Sequence, residues 1–157
     1  MNTEELIQAL IETAKASINQ AEKLKHLDPR SLRWRKNEKS WNILECLEHL
    51  NLYGDFYLPE IEARIKHSNT QFEDEFKSGL LGNYFAQSML PKDKLNKMKT
   101  FKDKNPLHKS LDKGTIDRFI DQQIRLIELL HLSQKVSLNK VKISISISRF
   151  IRLKLGD

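Results

Sequence analysis

A chain of 157 residues fits one domain and can bury roughly two thirds of its unfolded surface, so disulfides are not needed, and Cys46 as the single cysteine excludes an internal bridge and a thiolate-rich zinc site. The opening MNTEELIQAL is acidic where a secretory leader is basic, and no apolar run approaches the roughly 18 residues of a membrane span, so a cytoplasmic protein with no membrane partner is expected. The net charge of +6 admits an anionic partner, but its basic excess lies in two runs, Lys92 to Lys104 and Lys135 to Lys154, neither patterned as a base-stacking platform, and no specific nucleic-acid partner is expected.

From Thr3 to about Lys25, the residues Ile7, Leu10, Ile11, Ala14, Ile18 and Ala21 recur at the three-and-four spacing of an amphipathic helix. Asn2 or Thr3 can cap it, Glu4 and Glu5 favour its first turn, and Asp28-Pro29 stops it. Residues 29–39 form a polar lead-in containing Trp34, and Ser40 is the expected N-cap of a second helix over Trp41 to Lys66. This helix places Ile43, Leu47, Leu50, Gly54, Tyr57, Ile61 and Ile65 on one stripe, with Glu48, Asn51, Asp55 and Glu62 on a polar one. Leu52, Tyr53 and Phe56 make the remaining face apolar, which predicts packing on more than one side. Pro59 inside the run removes one backbone donor and is expected to bend it.

Between His67 and Leu111 the pattern weakens. GLLGNYFAQSML allows a short helix, while Pro91, Pro106 and the Lys-rich run between them predict a long connector. A third helix is predicted from Asp112 to Gln134, where Ile116, Phe119, Ile120, Gln123, Ile127 and Leu130 share a face. The last stretch alternates Val141, Ile143, Ile145 and Ile147 with Lys142, Ser144, Ser146 and Ser148, the period of a half-buried strand. No partner strand is predicted for it, so the expectation is an extended segment leading into a short fourth helix from near Ser148.

No phosphate-cradling glycine loop, nucleophile elbow or HExxH is present. The notable constellation is Trp34, Trp41 and the run ILECLEHLNLYGDFYLPEI with its His49-Leu50 dipeptide, followed much later by VKISISISRFIRLKLGD. In this order the features resemble the DinB/YfiT-like family over nearly the whole chain. The resemblance implies an all-α, up-down-down-up four-helix bundle, often dimeric, here a single domain over 1–157 with an incomplete fourth helix. It also implies a metal site built from one histidine of the second helix and two from an HxxxH on the fourth. Relatives include thiol-dependent transferases and isomerases that use low-molecular-weight thiols and a divalent zinc or nickel ion.

Residue by residue, only His49 carries over as a metal ligand; His26, His67, His108 and His131 do not match, and no HxxxH occurs within the 157 residues. One imidazole does not make a zinc centre, so no tightly bound ion is expected and no catalytic residue is assigned. His49 shares a helical side with Tyr53 and Phe56 and is expected in an aromatic environment. Glu45, four residues earlier, reads as a solvated glutamate or an acceptor behind His49. Cys46 reads as a small hydrophobe, and Trp34 and Trp41 as anchors of the lead-in over the bundle. Two functions follow: a metal-dependent enzyme, such as a thiol-dependent transferase or related hydrolase, or a non-catalytic dimeric bundle acting as a binding or stress-response protein.

Overall fold

The computed structural model describes residues 1–90 and 99–157, and for Arg149 the backbone alone. The Lys92, Lys94 and Lys97 part of the predicted connector lies outside the described residues. Helix α1 (Thr3–Leu24) starts where the Asn2 side chain accepts from the Glu5 N–H, with Glu4 and Glu5 in its first turn. Its buried face carries Ile7, Ile11, Ala14 and Ala21. The lead-in holds a short helix that periodicity did not show, α2 (Pro29–Arg33). Asp28 caps it and Pro29 occupies its first turn, and Leu32 is buried against the core.

Helix α3 (Ile43–Lys66) begins at Asn42, not at Ser40. The reason is a capping box: Asn42 Oδ1 accepts from the Glu45 N–H at 2.8 Å, and Glu45 Oε2 accepts from the Asn42 N–H at 2.9 Å. The helix runs through Pro59 to Lys66. α4 (Leu80–Met89) forms where the short helix was allowed, and a 3-10 turn spans Lys102–Lys104. α5 (Gly114–Ser133) matches the third predicted helix.

α1 and α3 each pack along α5. With Leu32 of α2, their side chains form one core of Ala21, Leu44, Leu47, Ile116, Phe119 and Ile120. A second gathers Ile7, Ile11, Phe76 and Leu138, and a third Ile65, Val136 and Val141. The α3–α5 contact departs from the predicted stripes. Glu48 and Asn51 are buried, Arg118 bonds both Glu48 and Asp55, and Arg125 pairs with Glu62. The polar stripe therefore faces α5, which supplies matching partners, while Leu50 of the apolar stripe is 50% exposed. Gly54 lets the helices approach: a Cβ there would lie 2.1 Å from Gln122 Oε1.

The end of the chain corrects the expected fourth helix. Lys142–Ile145 (β1) and Ser148–Lys154 (β2) form an antiparallel hairpin, pairing Lys142 with Lys154 and Ile143 with Leu153, with a register shift between Ser144 and Ile145. The strand signature of 141–148 was sound. Its missing partner is the segment that follows, RFIRLK, whose β-branched and aromatic residues suit a pleated, half-buried surface. Ile143 and Ile145 are buried, and β1 lies against α3. There Ser144 N–H donates to Glu60 and Ser146 N–H to Tyr57, so side chains of α3 cap the outer edge of β1. The described residues are predominantly helical with one small sheet. Among them, no helix is long and apolar enough to cross a membrane.

Candidate functional site around His49

One turn into α3, the side chains that seal its N-terminus also hold residues 104–109 across it. Glu45, read above as solvated, is fully buried. Its Oε2 closes the capping box, while Oε1 accepts from Arg35 at 3.0 Å and from the His108 N–H at 2.6 Å. Burial alone would push this carboxyl up, but the Asn42 and His108 N–H groups and the Arg35 guanidinium outweigh it and hold the group below its ordinary value. Arg35 also donates to His108 Nδ1 at 3.3 Å, so that nitrogen is the acceptor. His108 has φ of 64°, the left-handed region that few non-glycine residues adopt. Its N–H is held in place by the Glu45 carboxylate.

Further fastenings lie on either side. Trp41 Nε1 donates to Asn105 Oδ1 at 3.1 Å, Lys109 reaches Glu48 at 3.4 Å, and His49 Nδ1 lies 2.7 Å from the Lys104 carbonyl. A carbonyl only accepts, so Nδ1 carries the proton and, in the neutral ring, Nε2 carries the lone pair. The half-buried His49 ring stands between aromatics, with centroids 4.7 Å from Trp41 and 5.0 Å from Tyr53 in an edge-on arrangement. Tyr53 continues to Tyr57 at 6.3 Å, and Lys104 Nζ sits 5.8 Å from the Tyr53 ring centre. Desolvation, then the charges of Tyr57 and Asp103, raise the Tyr53 phenol.

Cys46 is a free, exposed thiol. Desolvation of the thiol, then the neighbouring Glu45 charge, push it above the usual thiol range, the opposite of an activated nucleophile. Trp34 is 70% exposed, so of the two tryptophans only Trp41 is tied down. Both line a shallow groove of about 420 Å³ with Leu24, Asn42, Ile43, Cys46 and Leu47.

The residues present do not fit a zinc or nickel centre. Such a site needs three or four converging ligands, and among the described residues no three His, Cys, Asp or Glu side chains gather to hold an ion. Glu45 and Glu48, the carboxylates nearest His49 along the helix, are committed to Arg35 and to Lys109 and Arg118. Sequence reading identified His49, Trp41 and Tyr53 but missed Arg35, Lys104, Asn105 and His108. The Asn42-to-Glu45 spacing of a capping box was the one legible signal that Glu45 would be structural. Compared with family models, curated proteins and solved structures, the chain matches none.

Proposed function

We propose that this chain is a DinB-like helical domain of the non-catalytic kind, a cytoplasmic binding protein that presents the Trp41–His49–Tyr53 face to a small molecule. The observation that carries the reading is the fixed imidazole. The Lys104 carbonyl holds Nδ1–H at 2.7 Å, which leaves Nε2 as a hydrogen-bond acceptor between two aromatic rings. A ligand suited to it offers a donor to Nε2, and the S–H or an amide N–H of a low-molecular-weight thiol is such a donor. Fluorescence titration in a Trp34→Phe background, leaving Trp41 as reporter, tests it with reduced glutathione. Saturable quenching that His49→Ala removes is expected. No saturation, or saturation unchanged by His49→Ala, counts against it.

A second reading, a metal-dependent transferase or related hydrolase, draws on the same tautomer, because ligating histidines commonly donate their other N–H to a carbonyl. It requires further ligands to converge on His49. The 157-residue chain is expected to purify without stoichiometric zinc or nickel. Elemental analysis that finds either ion, lost on His49→Ala, would replace the first reading with this one. A homodimer through the outer side of α3, where Leu50 is half exposed, belongs to both readings. Light scattering is expected to give twice the monomer mass, and a stable monomer at high concentration removes it.

A further inference from the structure

Basic residues of two segments distant in sequence gather at one end of the fold. Residues 76–90 and 140–157 together hold six Lys or Arg and one Asp, next to the acids Glu73, Asp74 and Glu75, of which Glu73 pairs with Lys140. The fold brings these two segments together. α4 lies against β2, and the Asp157 carboxylate accepts from Ser78 Oγ at 2.6 Å and from the Gly79 N–H at 3.0 Å. Asp157 is thus occupied at the start of α4, Glu73 is occupied by Lys140, and Lys154 bonds the Lys77 carbonyl. Among the described residues, Lys77, Lys142 and Arg152 form no ion pair with a carboxylate.

The same end exposes its apolar residues. α4 contains no charged side chain over its 10 residues. Leu80 is 97% and Tyr84 68% exposed, one helical turn apart on one face. In β2, Phe150 is 98% exposed and shares a strand face with Arg152, since alternate residues project together. Bare Leu and Phe side chains at this level of exposure are costly unless something covers them.

We propose that α4 and the outer face of the β hairpin dock on an anionic lipid surface. A second copy of the chain would bring like charges together, and a nucleic acid would match the cations but leave Leu80 and the uncharged face of α4 in water. A bilayer interface takes both: apolar and aromatic side chains enter the headgroup boundary while Lys and Arg meet anionic headgroups. Ten residues of helix cannot span a hydrocarbon core, so the attachment is peripheral.

The test is co-sedimentation of the 157-residue chain with vesicles of phosphatidylcholine alone, or of phosphatidylcholine containing phosphatidylglycerol. Binding is expected to the mixed vesicles and not to phosphatidylcholine. Lys142→Glu and Arg152→Glu should each weaken it by about fivefold or more, and the pair Leu80→Ser, Phe150→Ser by about tenfold. All four positions are exposed, so circular dichroism should show the fold retained. Failure to bind mixed vesicles, equal binding to neutral ones, or binding unchanged by the Leu80/Phe150 pair would overturn the proposal. An oligonucleotide that competes through Lys142 and Arg152 and binds more tightly than the vesicles would overturn it as well.

Discussion

Glu45 shows how a residue's role follows from what it must satisfy. As the third residue of α3 it is placed to answer the Asn42 N–H, and once buried there its second oxygen needs donors, which Arg35 and the His108 backbone supply. Removing the carboxylate leaves the Asn42 and His108 N–H groups without an acceptor and the Arg35 guanidinium with only His108 Nδ1. Glu45→Ala is therefore expected to lower stability by about 3 kcal/mol, read as a shifted urea midpoint with unchanged slope. His108 answers the same demand through its backbone. A β-branched residue tolerates the left-handed region poorly, so His108→Val is expected to cost about 1 to 2 kcal/mol, while His108→Gly should not. Equal losses for both would place the contribution in the His108 ring and its contact with Arg35. His49 differs from both: its ring is half exposed and it closes the Lys104 contact, so His49→Ala should affect ligand binding more than folding.

Between elements, the α3–α5 contact is a polar seam beside Gly54. Gln122 donates to the Asn51 carbonyl at 3.1 Å and to Asp55 at 2.9 Å, in the space that Gly54 leaves open. Gly54→Ala displaces the flexible end of Gln122 and gains helix propensity of about 1 kcal/mol, so its net effect should be small. Gly54→Leu cannot be accommodated that way and is expected to cost more than about 2 kcal/mol, measured by thermal unfolding. A second junction ties residues 70–76 to 137–140. Glu73 accepts from Ser137 and Asn139 at 2.8 Å each and pairs with Lys140 at 2.5 Å. Its carboxyl is held at about 2, below the ordinary 4.5, by Lys140 first and then by Asn139 and Ser137. A depressed carboxylate stabilises the fold above its unfolded value, so this contribution is complete above about pH 4.5 and is lost as pH falls toward 2. Glu73→Gln should flatten the acid limb of a stability–pH curve within that window; an unchanged limb would assign acid sensitivity to other carboxylates.

At the scale of the molecule, α5 is the hub and α4 the periphery. α5 is packed by α1 on one side and α3 on another, whereas α4 rests mainly on β2 and the Asp157 cap. Local opening follows packing, so hydrogen exchange should be slowest at the α5 amides around Ile116 to Leu129 and fastest, among the helices, in α4. Comparable protection in α4 and α5 would contradict this. Protection of α4 that rises on adding anionic vesicles is expected from the proposed docking. The expectation of no membrane partner rested on the absence of a long apolar run, which bears on crossing a bilayer and not on lying against one.

The helical class and the three long helices were legible because α1 and α5 repeat their apolar residues at 3.6-residue spacing whatever surrounds them. The His49–Tyr53 contact was legible for the same reason, since residues four apart on a helix meet without help from the rest of the chain, whereas the other ring at His49 is Trp41 and not the expected Phe56. What only the tertiary structure decided depends on contacts distant in sequence. The polar stripe of α3 became an interface because Arg118, Gln122 and Arg125 arrive opposite it. Residues 148–154 became a strand because β1 offers them hydrogen-bonding groups and a buried face, where local pattern alone permits helix or strand. Glu45 became structural because Arg35 and His108, 10 and 63 residues away, converge on it. The two basic runs, Lys92 to Lys104 and Lys135 to Lys154, carried charge but no position. Joining α4 to β2 put part of the second run beside Lys77 on a single face, since a surface exists only once the chain has folded.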